Sequence, residues 1–172
     1  MKSIREQAQP YLLCTAKFPL EALTSSWSIG CNRAVDVKHV RDLCRIFEET
    51  GLQREHAENH LLVACPPAAV RRMMDHLRAP AAVEESGLEG GAESRSHARP
   101  GDRLEEKWPS FEQWMLVNGS PAEIMAGQHR VEALQMLLKQ KAYKAFKKSQ
   151  SWWICDVYNS GRASAFALFL RE

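Results

Sequence analysis

Apolar residues at Val37, Val40, Leu43, Cys44, Ile46 and Phe47 recur at the spacing of one helix face. Asp36 stands where an N-cap belongs, and Gly51, after Glu48-Glu49-Thr50, where a helix stops. The next apolar block has another form: Leu61-Leu62-Val63-Ala64-Cys65 is unbroken and of strand length. Pro66-Pro67 ends it and suits the first turn of a helix that continues through Val70, Met73, Met74 and Leu77. A second strand-then-helix pair follows, with Val131, Leu134, Leu137 and Leu138 turned towards a core. Trp152-Trp153-Ile154-Cys155-Asp156-Val157-Tyr158 reads as a strand closed by the turn Asn159-Ser160-Gly161. Strand and helix in alternation predict an α/β or α+β domain.

Other segments are less regular. Residues 1–26 have mixed character and read as an N-terminal extension, in which Tyr11-Leu12-Leu13-Cys14 fits a strand or a helix equally. Trp27-Ser28-Ile29-Gly30-Cys31 alternates like a strand, and the stretch from Trp108 to Gly119 predicts a packed turn and strand. Ala163 to Leu170 predicts an apolar helix, whose broad apolar surface implies more polypeptide after Glu172. Between 79 and 107 glycine, proline, serine and charged residues replace large apolar ones. Such a stretch buries too little surface to offset its ordering entropy, so it reads as a disordered insertion within one domain spanning 27–172.

Charge and cysteine usage narrow the class. A formal net charge of +2 argues neither for nor against nucleic acid as a partner. Lys and Arg interrupt every apolar run before it could span a bilayer, and the first residues carry no signal-peptide core. The five cysteines (Cys14, Cys31, Cys44, Cys65 and Cys155) are dispersed, with no paired or zinc-type spacing. They read as reduced thiols of an intracellular protein, cytoplasmic or nuclear.

Chemistry concentrates in Glu123-Ile124-Met125-Ala126-Gly127-Gln128-His129-Arg130-Val131-Glu132-Ala133-Leu134. This is a strand, a glycine turn and a helix that opens on polar and basic residues. A helix N-terminus offers unpaired N–H groups and the positive end of the macrodipole, both suited to phosphate. Gly127 allows a tight turn, Arg130 a planar grip on phosphate oxygens, and His129 a proton or a hydrogen bond. Towards the end of the helix come Lys139, Lys141, Lys144, Lys147 and Lys148, a solvated face or a set of nucleic-acid phosphate contacts.

The glycine turn resembles a motif of the ParB/sulfiredoxin-like superfamily, in which a strand leads to Gly-Glu-Arg-Arg, Gly-Cys-His-Arg or Gly-Asn-His-Arg. Gly51-Leu52-Gln53-Arg54, ahead of the strand at 61–65, is similar to the glycine-apolar-apolar-glutamine turn of ParB N-terminal domains. The strand and helix at 152–172 fall where ParB domains place theirs. The resemblance implies a small mixed sheet flanked by helices and a site for ATP, ADP or CTP, usually with Mg²⁺. By position, Gly127, Gln128, His129 and Arg130 would cradle the phosphates, and Gln53 and Arg54 would approach from the first turn. Gln128 stands where a sulfiredoxin has its reactive cysteine, which argues against that activity. It also replaces the ParB glutamate, so a general-base carboxylate must come from elsewhere, with Asp36, Glu132 and Asp156 as candidates.

Three functions follow. The first is a nucleotide-dependent phosphotransferase or NTP hydrolase, with Arg130 stabilising charge and His129 orienting or protonating. The second is a DNA- or RNA-binding or nuclease-like module that uses Lys141, Lys144, Lys147 and Lys148. The third is an inactive protein-interaction domain that keeps the fold. His39, His56, His60 and His76 share no ligand spacing and read as solvated or helix-surface residues, while the tryptophans read as core.

Overall fold

The computed structural model describes residues 8–26, 28, 32–79, 107–139 and 148–162. Five strands form one mixed sheet: β1 (Leu12–Pro19), β2 (Leu23–Thr24), β3 (Leu61–Cys65), β4 (Ala122–Ala126) and β5 (Trp152–Asn159), in the order β1-β5-β3-β4-β2. Among the described residues four α-helices accompany it: α1 (Val37–Thr50), α2 (Pro67–Arg78), α3 (Trp114–Asn118) and α4 (Gln128–Lys139). This is the expected mixed sheet flanked by helices.

Position in the sheet explains the strand sequences. β3 lies at the centre, parallel to β5 with Leu61 beside Cys155, and antiparallel to β4 with Leu62 beside Ala126. All five of its residues are buried, as an unbroken apolar run requires. One sheet face carries the main core. There Leu61, Val63, Cys155 and Val157 meet Val40 and Phe47 from α1, and Val131, Leu134 and Leu137 from α4. Leu134 and Leu137 are fully buried, each stabilising the fold by about 1.5–3 kcal/mol relative to exposure. The opposite face carries a smaller cluster of Leu62, Ala64, Met125 and Tyr158.

The helix punctuation follows the sequence. The Asp36 carboxylate accepts from the N–H groups of Lys38 at 2.8 Å and His39 at 3.2 Å, capping α1. Gly51, at φ 78°, donates its N–H to the Phe47 carbonyl and stops the helix.

Two expectations are corrected. The domain does not begin at Trp27, because β1 pairs antiparallel along β5 and β2 pairs with β4, so Leu12–Pro19 and Leu23–Thr24 belong to the sheet. The ambiguous apolar run near Cys14 becomes an edge strand once β5 supplies its partner. The stretch from Trp108 to Gly119 is not a strand: Ser110 makes one bridge to Lys17, and the chain then forms α3. Its aromatic residues close a cluster, with the ring centroids of Phe111 and Trp114 at 5.1 and 5.0 Å from that of Phe18. Gly119, in the left-handed region, ends α3. Apart from Ser28, which is a bend, the strand expected at 27–31 lies outside the described residues, as do the insertion between its end residues and the helix expected at 163–170.

Candidate functional site

β4 delivers the chain to Gly127 at the end of the sheet, and α4 starts at the next residue. Gly127 has φ 98°, where an L side chain is strained, and a Cβ there would lie 2.5 Å from Leu61 Cδ2. Leu61 is wholly buried in the central strand and cannot easily yield. The Gly127 carbonyl accepts from the N–H groups of Arg130 at 3.0 Å and Val131 at 3.4 Å, closing the first turn of α4. The N–H groups of Gln128 and His129, being first in the helix, have no acceptor within it.

Three side chains frame that turn. The Arg130 guanidinium folds back over Gly127: Nη1 lies 3.6 Å from where a Gly127 Cβ would sit, and Nη2 donates to the Glu58 carbonyl at 3.3 Å. His129 Nε2 accepts from the backbone N–H of Asp36 at 3.0 Å. A nitrogen that accepts carries no proton, so in this arrangement the ring's hydrogen is on Nδ1. The ring of His39 meets it edge-on at 5.1 Å. Gln128 is buried and donates from Nε2 to the Arg33 carbonyl, tying the approach to α1 against the start of α4. Asp36 thereby links two helix N-termini. Its carboxyl is held below the usual carboxylate range by the N–H groups of His39 and Lys38.

Gln53 and Arg54 lie apart from this turn. They line a cleft of about 670 Å³ together with Phe47, Gly51, Gln150 and Trp152, and no residue of 127–130 borders it. Arg54 is 7 % exposed. It donates to the Gln150 carbonyl and lies over the Trp152 ring, its guanidinium carbon 3.9 Å from the centroid. Burial draws its pKa down to about 10, which leaves it a cation at neutral pH. Gln53 has φ 43°, and its carbonyl accepts from Asn59 Nδ2 at 3.0 Å. Loop 54–60 therefore joins the two regions, with Asn59 bonded back to the Gln53 carbonyl and the adjacent Glu58 carbonyl held by Arg130.

The three candidate carboxylates differ. Asp36 reaches the turn through His129. Glu132 lies half-buried on α4. Asp156 lies inside β5, 7 % exposed, where Oδ1 accepts from Thr15 Oγ1 at 2.8 Å and pairs with His60 Nδ1 at 2.9 Å. His60 is thus buried and partnered, not solvated. The signal for this cluster was the one acidic residue in an otherwise apolar strand, since a buried carboxylate needs partners. Lys141, Lys144 and Lys147 and the side chain of Lys148 lie outside the described residues.

Thiol chemistry finds little support among the described cysteines. Burial pushes Cys14 up to about 11 and Cys65 to about 12, and raises Cys44 and Cys155 as well. Among the described residues no group of three His, Cys, Asp or Glu could hold a metal, and no helix is long and apolar enough to cross a membrane. No protein-family model matches the chain, and neither does any curated protein or solved structure compared with it.

Proposed function

We propose that the 127–130 turn binds the phosphates of ATP, ADP or CTP, and that the domain is a nucleotide-dependent phosphotransferase or NTP hydrolase of ParB/sulfiredoxin-like type. The observation that carries this reading is the guanidinium of Arg130 folded over a positive-φ glycine at the start of α4. A phosphate there meets two helix-terminal N–H groups, the helix dipole and a cation able to hold two oxygens. The side chain of Gln128 already serves the Arg33 carbonyl, so its backbone N–H, not its amide, is the group offered to phosphate.

His129 would contribute its Nδ1–H, because Nε2 is committed to Asp36. That N–H can donate a hydrogen bond to a phosphate oxygen and orient it, while Arg130 stabilises the transferring group. Mg²⁺ would arrive with the nucleotide and retain water and phosphate ligands. The residues fit it in that form: both cap bonds of Asp36 fall on Oδ1, so the second oxygen is not used by the cap. The test is calorimetric titration of ATP, ADP and CTP, each with Mg²⁺, followed by assay of phosphate release or transfer. Saturable binding of one of them is expected. No heat from any of the three would overturn the reading.

A further inference from the structure

We propose that the slot between Trp108 and Trp152 binds a base of single-stranded nucleic acid, with Lys17 and Lys107 contacting the neighbouring phosphates. This surface is separate from the 127–130 turn and uses no residue of it. Lys17 and Ile154 face each other across the β1–β5 pair, and Trp152 stands two residues before Ile154, so all three share one sheet face. Trp153, on the other face, is fully buried in the core. Trp108 comes from the chain running beside β1, where the Lys17 N–H donates to the Pro109 carbonyl at 2.9 Å and the Phe111 N–H to the Lys17 carbonyl at 2.8 Å. Its ring stands perpendicular to His60 at 5.8 Å, which braces it.

The result is a cavity of about 240 Å³ lined by Trp108, Trp152 and Ile154 together with Lys17, Lys107 and Glu55. Its volume equals that of about eight water molecules, enough for one planar ring system. Cations cluster on the walls. Lys17 Nζ lies 4.4 Å from the Trp152 centroid and Lys107 Nζ 4.5 Å from that of Trp108, while Arg54 covers Trp152 at 3.9 Å. Lysine stems are long and flexible, so both ammonium groups can swing onto phosphates while a base takes the ring face. Aromatic faces interleaved with cations are what a sequence-tolerant single-strand site requires. A proline-rich peptide could use the same aromatic residues but has no use for the lysines, and Lys17 and Lys107 against Glu55 favour the polyanion.

The experiment is fluorescence anisotropy of a labelled oligothymidine with the whole chain, across a range of salt. Binding that weakens as salt rises is expected. Trp108→Ala should lower affinity about tenfold or more, and Trp108→Phe, which keeps a stacking ring, should restore most of it. Lys17→Gln with Lys107→Gln should flatten the salt slope by about one to two units. Three results would overturn the proposal: no binding at low salt, undiminished binding by a folded Trp108→Ala, or a salt slope untouched by the lysine pair. Displacement of the oligonucleotide by a proline-rich peptide, with salt having no effect on the peptide, would assign the slot to the other ligand class. Should Trp108→Ala fail to fold, Trp108→Phe and the lysine pair decide. Mononucleotide binding at the 127–130 turn is measured independently, so either idea can fail alone.

Discussion

Arg54 and Arg130 each stand three residues after a positive-φ glycine, and the two arginines serve opposite ends. Gly51 closes α1, so Arg54 follows a helix C-terminus, the negative end of the dipole, and turns inward onto Trp152 and the Gln150 carbonyl. Gly127 opens α4, so Arg130 lies in the first helical turn, at the positive end, and folds over the glycine. One guanidinium fastens the start of β5; the other adds its charge to backbone donors already suited to an anion. What distinguishes them is the direction in which the chain leaves the glycine.

The two glycines break the comparison most strongly. Gly127→Ala combines backbone strain with a Cβ driven against Leu61, and is expected to cost about 3 kcal/mol and to abolish phosphate binding. At Gly51 a Cβ meets nothing within 4 Å, so Gly51→Ala should cost only the backbone strain, about 2 kcal/mol. Urea denaturation of both variants checks the difference; equal losses would remove the special role given to Leu61.

The arginines come next. Arg54→Ala removes a charged hydrogen bond and a stacked cation in a buried setting, for an expected loss of about 2 kcal/mol with nucleotide affinity retained. Arg130→Ala should cost less than Arg54→Ala, about 1 kcal/mol or less, since its bond to the Glu58 carbonyl is long and exposed where that of Arg54 is part-buried. Denaturation midpoints that reverse this order would mean that Arg130, not Arg54, is the structural residue.

Acid sharpens the picture at Asp36. Its carboxyl titrates below the unfolded value of about 3.9, so the stability it adds is present above that pH and disappears as pH falls through the folded value. Asp36→Asn keeps a cap but does not titrate, and its stability should fall less steeply than wild type below about pH 4. Parallel acid-unfolding curves would count against the cap as the source. The smallest effect expected is on thiols. With Cys14, Cys44, Cys65 and Cys155 all shifted upward, alkylation of the folded chain at mildly alkaline pH should leave these four unmodified until denaturant is added. Rapid modification of Cys155 in the native protein, mapped by mass spectrometry, would contradict its burial.

Much of this architecture is legible in the sequence where a local rule suffices. Periodicity gives α1, α2 and α4; the unbroken run at 61–65 gives the central strand; Asp36 and Gly51 mark their caps. Tertiary pairing decides the rest. Leu12 to Pro19 becomes a strand because β5 offers a partner edge, and Trp114 to Asn118 becomes a helix because its aromatic side chains complete the cluster with Phe18. At the site, the glycine turn and Arg130 can be read from residue types and order alone. The commitment of His129 Nε2 to Asp36, the turning of Gln128 to Arg33 and the burial of Arg54 cannot, because each depends on a partner between 93 and 96 residues away.

The most direct test compares nucleotide affinity in wild type and Arg130→Ala by calorimetry with Mg²⁺ present, alongside their denaturation midpoints. The 127–130 turn as phosphate site predicts saturable binding by wild type, at least tenfold weaker in the variant, with the midpoints nearly equal. Equal affinities in the two proteins would contradict it.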